Sequence, residues 1–218
     1  MNNPGRRFSF AAWVGLLLAI STLLLAFLLA NLRSRNSLPR PLPIYGQIAD
    51  FTLTNQSGRA ISLADLRGHP WVADIIFTRC AGPCLKMTRQ MKELQNALPS
   101  VSTAKLVTLT TDADFDTPPV LSAYAARFQA DTNRWSFLTG TRQDIAKLAI
   151  NSLKLTSIEK KPEERESPQD LFIHSTTFVV ADKHGQLRGV FETAGEGVEA
   201  AQARQQILAA LKRLQSEP

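Results

Sequence analysis

The chain has 218 residues, 44% of them hydrophobic, which is enough for one well-packed domain with a short appendage and too few for two full domains. Its 25 Lys+Arg exceed its 19 Asp+Glu, giving a net charge of +6. Residues 1–40 carry five arginines and no acid, while residues 41–218 hold 20 basic and 19 acidic residues, so the basicity flanks an apolar segment and excludes a nucleic-acid-binding patch.

From Phe8 to Leu32 there are 25 residues without a charge, rich in Leu, Ala and Phe. About 20 apolar residues span a bilayer as a helix. The run exceeds the 7–15 residues or so of a signal-peptide core, and Arg33 and Arg35 follow it like a stop-transfer flank. The sequence therefore predicts a short tail at 1–7 and a retained transmembrane anchor at 8–32. Arg6 and Arg7 before the run nearly balance Arg33, Arg35 and Arg40 after it, so charge does not set its orientation. No cysteine stands near the end of the run for lipid attachment. Pro39, Pro41 and Pro43 mark residues 33–49 as a semi-extended linker, with the folded domain at 50–218.

Within the domain, a strand is predicted at Phe51–Thr54, a turn at Gln56-Ser57-Gly58, and a capped helical turn from Ser62 to Leu66 stopped by Gly68. Trp71–Phe77 reads as a buried central strand leading directly into Cys80. Leu85, Met87, Met91, Leu94 and Leu98 recur at near-helical intervals between charged residues, the mark of an amphipathic helix. A strand follows at Leu106–Thr110, then a helix capped by Thr117, opened by Pro118 and running to Phe128. Trp135–Leu138 is a short strand, and Thr141 caps a helix to about Leu153. Ser157–Asp170, acidic, proline-containing and poor in apolar residues, reads as a solvated loop. Ile173–Ala181 and Gln186–Glu192 are predicted strands joined by Asp182-Lys183-His184-Gly185, and a helix from Gly197 to Leu214 ends the domain. This order predicts an α/β fold: a thioredoxin-like mixed sheet flanked by helices, preceded by the single transmembrane helix.

Cys80-Ala81-Gly82-Pro83-Cys84 contains the only two cysteines, placed where a buried strand turns into a helix. A helix N-terminus favours thiolate over thiol, and Arg79, Lys86 and Arg89 are placed to push the same way. Thiolate serves both disulfide exchange and soft-metal binding. A disulfide closing so small a loop would remove only about 2 kcal/mol of unfolded-state entropy, so a stapling role is weak. A structural zinc site would need four ligands, and no second cysteine pair or histidine pair supplies them. Thioredoxins place two residues between their cysteines; the three found here leave room for both sulfurs to hold one metal ion. Pro70 and Thr78 do not stand where a peroxiredoxin would need them. His69, before Pro70, and His184, in a hairpin turn, read as surface residues. His174, entering a strand, is by itself an ordinary part-buried polar residue.

The segment Phe77-Thr78-Arg79-Cys80-Ala81-Gly82-Pro83-Cys84 resembles the signature of the SCO/SenC family. Two later blocks agree in order. Thr111-Asp112-Ala113-Asp114-Phe115-Asp116-Thr117-Pro118, followed by Tyr124, Phe128 and Trp135 to Gly140, resembles the family's acidic block, and His174-Ser175-Thr176-Thr177-Phe178 resembles its Asp-His-Ser segment. The similarity runs from about Asp50 to Leu214. It implies that copper, as Cu(I) or Cu(II), is held by Cys80, Cys84 and His174. Thiolates suit Cu(I), and imidazole serves Cu(II) as well. Ala81 and Leu85 stand where the family has prolines after its cysteines. Ile173 replaces an acid before the histidine, and Ala113 and Phe115 replace a Pro and an Arg, while Asp112 and Asp116 are kept.

The resemblance implies an assembly factor that delivers copper to a respiratory oxidase copper site or reduces its thiols. A chaperone fits these residues better than an enzyme. A thiol–disulfide oxidoreductase, in which Cys80 attacks and Cys84 resolves, is the first alternative, and a copper or redox sensor that binds partners without turnover is the second. The implied partners are the bilayer through residues 8–32, a respiratory oxidase subunit or other copper protein, and thiol–disulfide partners. The implied location is the inner membrane of the cell, single-pass, with the domain facing the periplasm or an equivalent extracytoplasmic space.

Overall fold

The computed structural model describes residues 10–36, 41–80, 82–167, 169–194, 197 and 199–217. The tail at 1–7, the first two residues of the expected anchor and residues 37–40 of the linker lie outside the described residues. The chain divides into two units, Met1–Pro41 and Leu42–Pro218. In the first, helix α1 covers Phe10–Asn36, and its Phe10–Asn31 stretch of 22 residues is long and apolar enough to cross a membrane.

The second unit opens with a two-residue strand, β1 (Gly46–Gln47), followed by the hairpin of β2 (Thr52–Asn55) and β3 (Ala60–Ser62), and by the one-turn helix α2 (Leu63–Leu66). Ser62 caps that turn reciprocally with Asp65. Next come β4 (Trp71–Ile76), α3 (Pro83–Ala97), β5 (Lys105–Thr110), α4 (Pro118–Arg127), β6 (Trp135–Thr139) and α5 (Arg142–Ala146). The remainder comprises β7 (Ser157–Glu159), β8 (Phe172–His174), β9 (Thr177–Ala181), β10 (Gln186–Glu192) and α6 (Ala200–Ser216).

Eight strands form one sheet in the order β1-β10-β9-β4-β5-β6-β2-β3. Strands β4, β5 and β6 run parallel, and β9 runs antiparallel to β4. Every residue of β4 is buried, as its apolar and β-branched run, interrupted only by Asp74, foretold. Its side chains alternate between two cores. Val72 and Ile76 join Met87, Met91 and Leu94 of α3, Leu121 and Tyr124 of α4, and Ile207, Leu211 and Leu214 of α6. Trp71, Ala73 and Ile75 join Leu63 and Leu66 of α2, Ile145 of α5, and Leu148 and Leu153 beyond it. Each such Leu or Met withdrawn from water contributes about 1.5–3 kcal/mol before entropy is counted.

The topology places the cysteines. Because β4 and β5 are parallel, the Cys80 loop and the Asp112–Asp116 loop leave the same edge, tied by the Thr111 N–H donating to the Ile76 carbonyl at 2.8 Å. Because β9 is antiparallel to β4, its entering end, just after His174, lies at that edge too.

Four expectations change. Residues 42–48, read as linker, belong to the folded unit: β1 pairs with β10, and Ile48 is buried because it fills the second core. The helix expected from Thr141 to Leu153 loosens to a π-helical turn at Lys147–Ser152. The loop expected at Ser157–Asp170 contains β7 and a 3-10 turn at Pro162–Glu164. Finally, the strand expected at Ile173–Ala181 is two strands. Ser175 N–H donates to Thr156 O, while the Thr193 N–H donates to Thr176 O, so the backbone changes partners between them. Among the described residues, strand β8 thus pairs only with β7, in a separate two-stranded sheet.

Candidate metal centre

Cys80 ends the turn that leaves β4, its N–H donating to the Phe77 carbonyl at 3.3 Å. Ala81 lies outside the described residues. Pro83 occupies the first turn of α3, where its missing N–H costs nothing, and Cys84 follows it on the same turn. The sulfurs of Cys80 and Cys84 and a ring nitrogen of His174 lie within 4.8 Å of one another, so the three sequence-predicted site residues meet. Both cysteines are free thiols and buried; Cys84 is sealed off entirely, and Cys80 keeps 8% exposure. His174 is half-buried, its ring edge-on to Phe77 at 5.9 Å between centroids.

Two contacts fix the imidazole. Nδ1 lies 3.0 Å from the Ser175 carbonyl, which can only accept, so Nδ1 carries the proton. Nε2 is left with its lone pair facing the Cys84 sulfur at 3.0 Å, the tautomer a metal ligand needs. The Ser175 carbonyl therefore orients this ring without the acid that Ile173 replaces.

The two thiols are driven apart electrostatically. Cys80 falls to about 4, chiefly because the Cys84 thiol donates to it, against the upward push of burial and with help from the N–H groups of Cys84 and Gly82. Burial pushes Cys84 strongly upward, and the Cys80 sulfur beside it pushes further. The expected help from cations is absent from this balance. Arg79 is turned away, paired with Asp112 at 2.6 Å and lying over the Phe115 ring at 4.1 Å, and Lys86 and Arg89 are exposed on α3. The helix-end N–H groups act as anticipated.

The kept acids of the Asp112–Asp116 block brace the cysteine loop. Asp116, fully buried, accepts from the Thr78 N–H at 3.0 Å and from the hydroxyls of Thr78 and Thr110. Burial raises its pKa, against the downward pull of those donors. Beneath the site, Asp74 of β4 is completely buried, and neither of its oxygens has a well-formed hydrogen bond. Burial lifts it to about 7, against smaller downward pulls from the Thr108 hydroxyl and His174. The sequence offered one signal for it, a lone acid inside the apolar run Trp71–Phe77. Of the other histidines, His184 is exposed as expected; His69 is half-buried, with its Nδ1 enclosed.

A cavity of about 360 Å³ opens onto Cys80 and His174, walled by Phe77, Pro83, Phe172 and Ile173. Cys84 does not line it, so whatever reaches the site meets Cys80 first.

The SCO1/SenC family model matches residues 45–210. A SCO1 protein homolog of Bacillus subtilis (strain 168) is 34% identical over 147 residues, 66% of this chain and 73% of its own length. A SCO1/SenC family lipoprotein from Bacillus anthracis str. Ames shares 30% identity and a TM-score of 0.65, over 82% of this chain and 99% of its own. BsSco, a member of the Sco family of cytochrome c oxidase assembly proteins in which a disulfide switch was identified, shares 25% identity and a TM-score of 0.67, over 82% of this chain and 100% of its own. From Tyr45 to Ala210, through the cysteine loop, the acidic block and the histidine strand, this chain belongs to the SCO1/SenC family.

Proposed function

We propose that the chain binds copper through Cys80, Cys84 and His174 and serves in cytochrome c oxidase assembly, delivering the metal to an oxidase copper site or keeping its thiols reduced. The observation that carries this reading is the convergence of two thiols and a correctly protonated imidazole within 4.8 Å. Thiolates favour Cu(I), imidazole extends the site to Cu(II), and the three donors fit either ion. Cys80 is already largely thiolate at neutral pH, and Cys84 gives up its proton on metallation. The apolar helix Phe10–Asn31 anchors the domain in the inner membrane, with the domain on the periplasmic or equivalent side, where it meets an oxidase subunit or another copper protein.

The test is anaerobic Cu(I) titration of the reduced full chain in detergent, with chelator competition, beside Cys80→Ser and His174→Ala. One copper per chain, weakened by both substitutions, is the expected result; no retained copper would overturn it.

The contrast between the two thiols favours a second reading, thiol–disulfide exchange. Cys80 thiolate attacks a partner disulfide, forming a mixed disulfide and releasing one partner thiolate. Cys84 then passes its proton to His174 Nε2 and attacks the Cys80 sulfur, releasing the second thiolate. Exchange by the wild type that is slowed by His174→Ala, while no copper is held, would favour this reading.

A further inference from the structure

His174 differs from the cysteines in how it is held. Cys80 and Cys84 belong to the main sheet and its helix, whereas His174 ends β8, whose only strand partner among the described residues is β7. An isolated two-stranded hairpin is marginal in water. Inside the 157–174 segment, Lys160 pairs with Asp170 at 2.6 Å and Arg165 donates to the Lys160 carbonyl, contacts that shape the segment without attaching it. Phe172 attaches one strand, stacking edge-on against Phe77 at 5.2 Å.

Leu171 packs on the same core, and His174 itself rests against Phe77 and Cys84; the ionic attachment is Arg142. It stands at the first position of α5, a helix start fixed by the Thr141 cap on Asp144. Its guanidinium donates to Asp114 through Nε at 3.1 Å and through a second nitrogen, and to Glu159 of β7 at 2.6 Å. Among the described residues this is the one ion pair between segment 157–174 and the rest of the domain. Glu159 sits opposite Phe172 in the hairpin register, two residues from the Ser157↔His174 pair. Asp114 lies in the same loop as Asp112 and Asp116, which hold Arg79 and Thr78 beside Cys80. One side chain thus bridges the loop that braces the cysteines and the strand pair that carries the histidine.

We propose that Arg142 is a positioning residue that clasps the His174 hairpin shut over the cysteines, and that opening this clasp frees His174 first when the metal leaves. The inference rests on reading His174 as a copper ligand. The partners are about half to two-thirds exposed, so the clasp is weak and screened by salt. On a marginal hairpin, a weak tie is enough to set how often the ligand is released.

The test has two arms on the full chain in detergent. In the metal-free reduced protein, Arg142→Gln is expected to speed amide exchange across 157–174 about three- to tenfold while leaving 71–76 unchanged. Arg142→Lys should recover part of the protection, and about 1 M salt should bring the wild type toward the variant. In the Cu(I)-loaded protein, Arg142→Gln should speed copper release to a chelator by a similar factor, with no further effect in a His174→Ala background. Unchanged exchange in 157–174, or an equal acceleration of release with and without His174, would overturn the clasp. If the wild type holds no copper, the functional reading fails, while the exchange arm still decides the clasp.

Discussion

Two arginines tie the domain together at different places, and burial separates their effects. Arg188 sits in a bulge of β10, which turns its side chain inward. It pairs with Asp182 of the hairpin turn and Glu217 beyond α6, each at 2.7 Å, and donates to the Leu42 and Pro43 carbonyls. Its side chain is 6% exposed; burial pulls its pKa down, but Asp182 and Glu217 together outweigh that and keep it raised. Arg142 makes pairs of similar length with half its side chain in water. Breaking the buried pair strands charges without solvent; breaking the exposed one hands them to water. The same chemistry therefore fixes one part of the fold firmly and ties the part beside the candidate metal ligands only loosely.

The largest expected effect follows from the buried member. Arg188→Ala should lower stability by about 3–5 kcal/mol in urea unfolding, because Asp182 is left buried and unpaired. A loss below about 1 kcal/mol would erase the contrast. Asp74 sharpens it from the other side, as a buried acid with no cation. The folded chain holds its proton up to about 7, against 3.8 for the free group, so it binds more protons than the unfolded chain in that window. Stability contributed by this group accordingly falls as pH rises from about 4 to about 7 and is level outside it. Asp74→Asn should stabilise the protein at pH 8 by up to about 4 kcal/mol and flatten that slope in thermal melts across pH.

Asp116→Asn, which weakens the acceptor for Thr78 and Thr110 without changing volume, should cost about 1–3 kcal/mol and speed alkylation of Cys80 as its loop loosens. An alkylation rate equal to wild type would show that the brace does not reach the thiol. The smallest effect belongs to Arg142→Gln, within about 1 kcal/mol of wild type in global unfolding and vanishing in high salt. A global loss as large as that of Arg188→Ala would mean that the hairpin is part of the cooperative core.

Much of the site was legible because it is written locally. A β-rich run that ends in two cysteines before a helix places both thiols whatever surrounds them. Pro118 and Thr117, Thr141, and the Gly185 turn, whose φ of 78° suits glycine, each mark an element boundary by backbone chemistry alone. The break between β8 and β9 was hidden because β-formers flank His174-Ser175 on both sides with no Gly or Pro between them, and the competing partners Thr156 and Thr193 divide the run. Strand β7 was hidden among acids and prolines, since its pairing depends on β8 rather than on its own composition.

By itself the sequence determined the apolar N-terminal helix and the alternation of strands and helices, because these follow from periodicity, capping and order along the chain, while its resemblance to the SCO/SenC family supplied the three candidate ligands. Tertiary structure alone decided the tautomer of His174, the opposed pKa shifts of Cys80 and Cys84, the solitary burial of Asp74 and the division between a buried and an exposed arginine clasp. Each of these depends on which groups from distant segments share a volume from which water has been excluded, and one-dimensional order does not specify that.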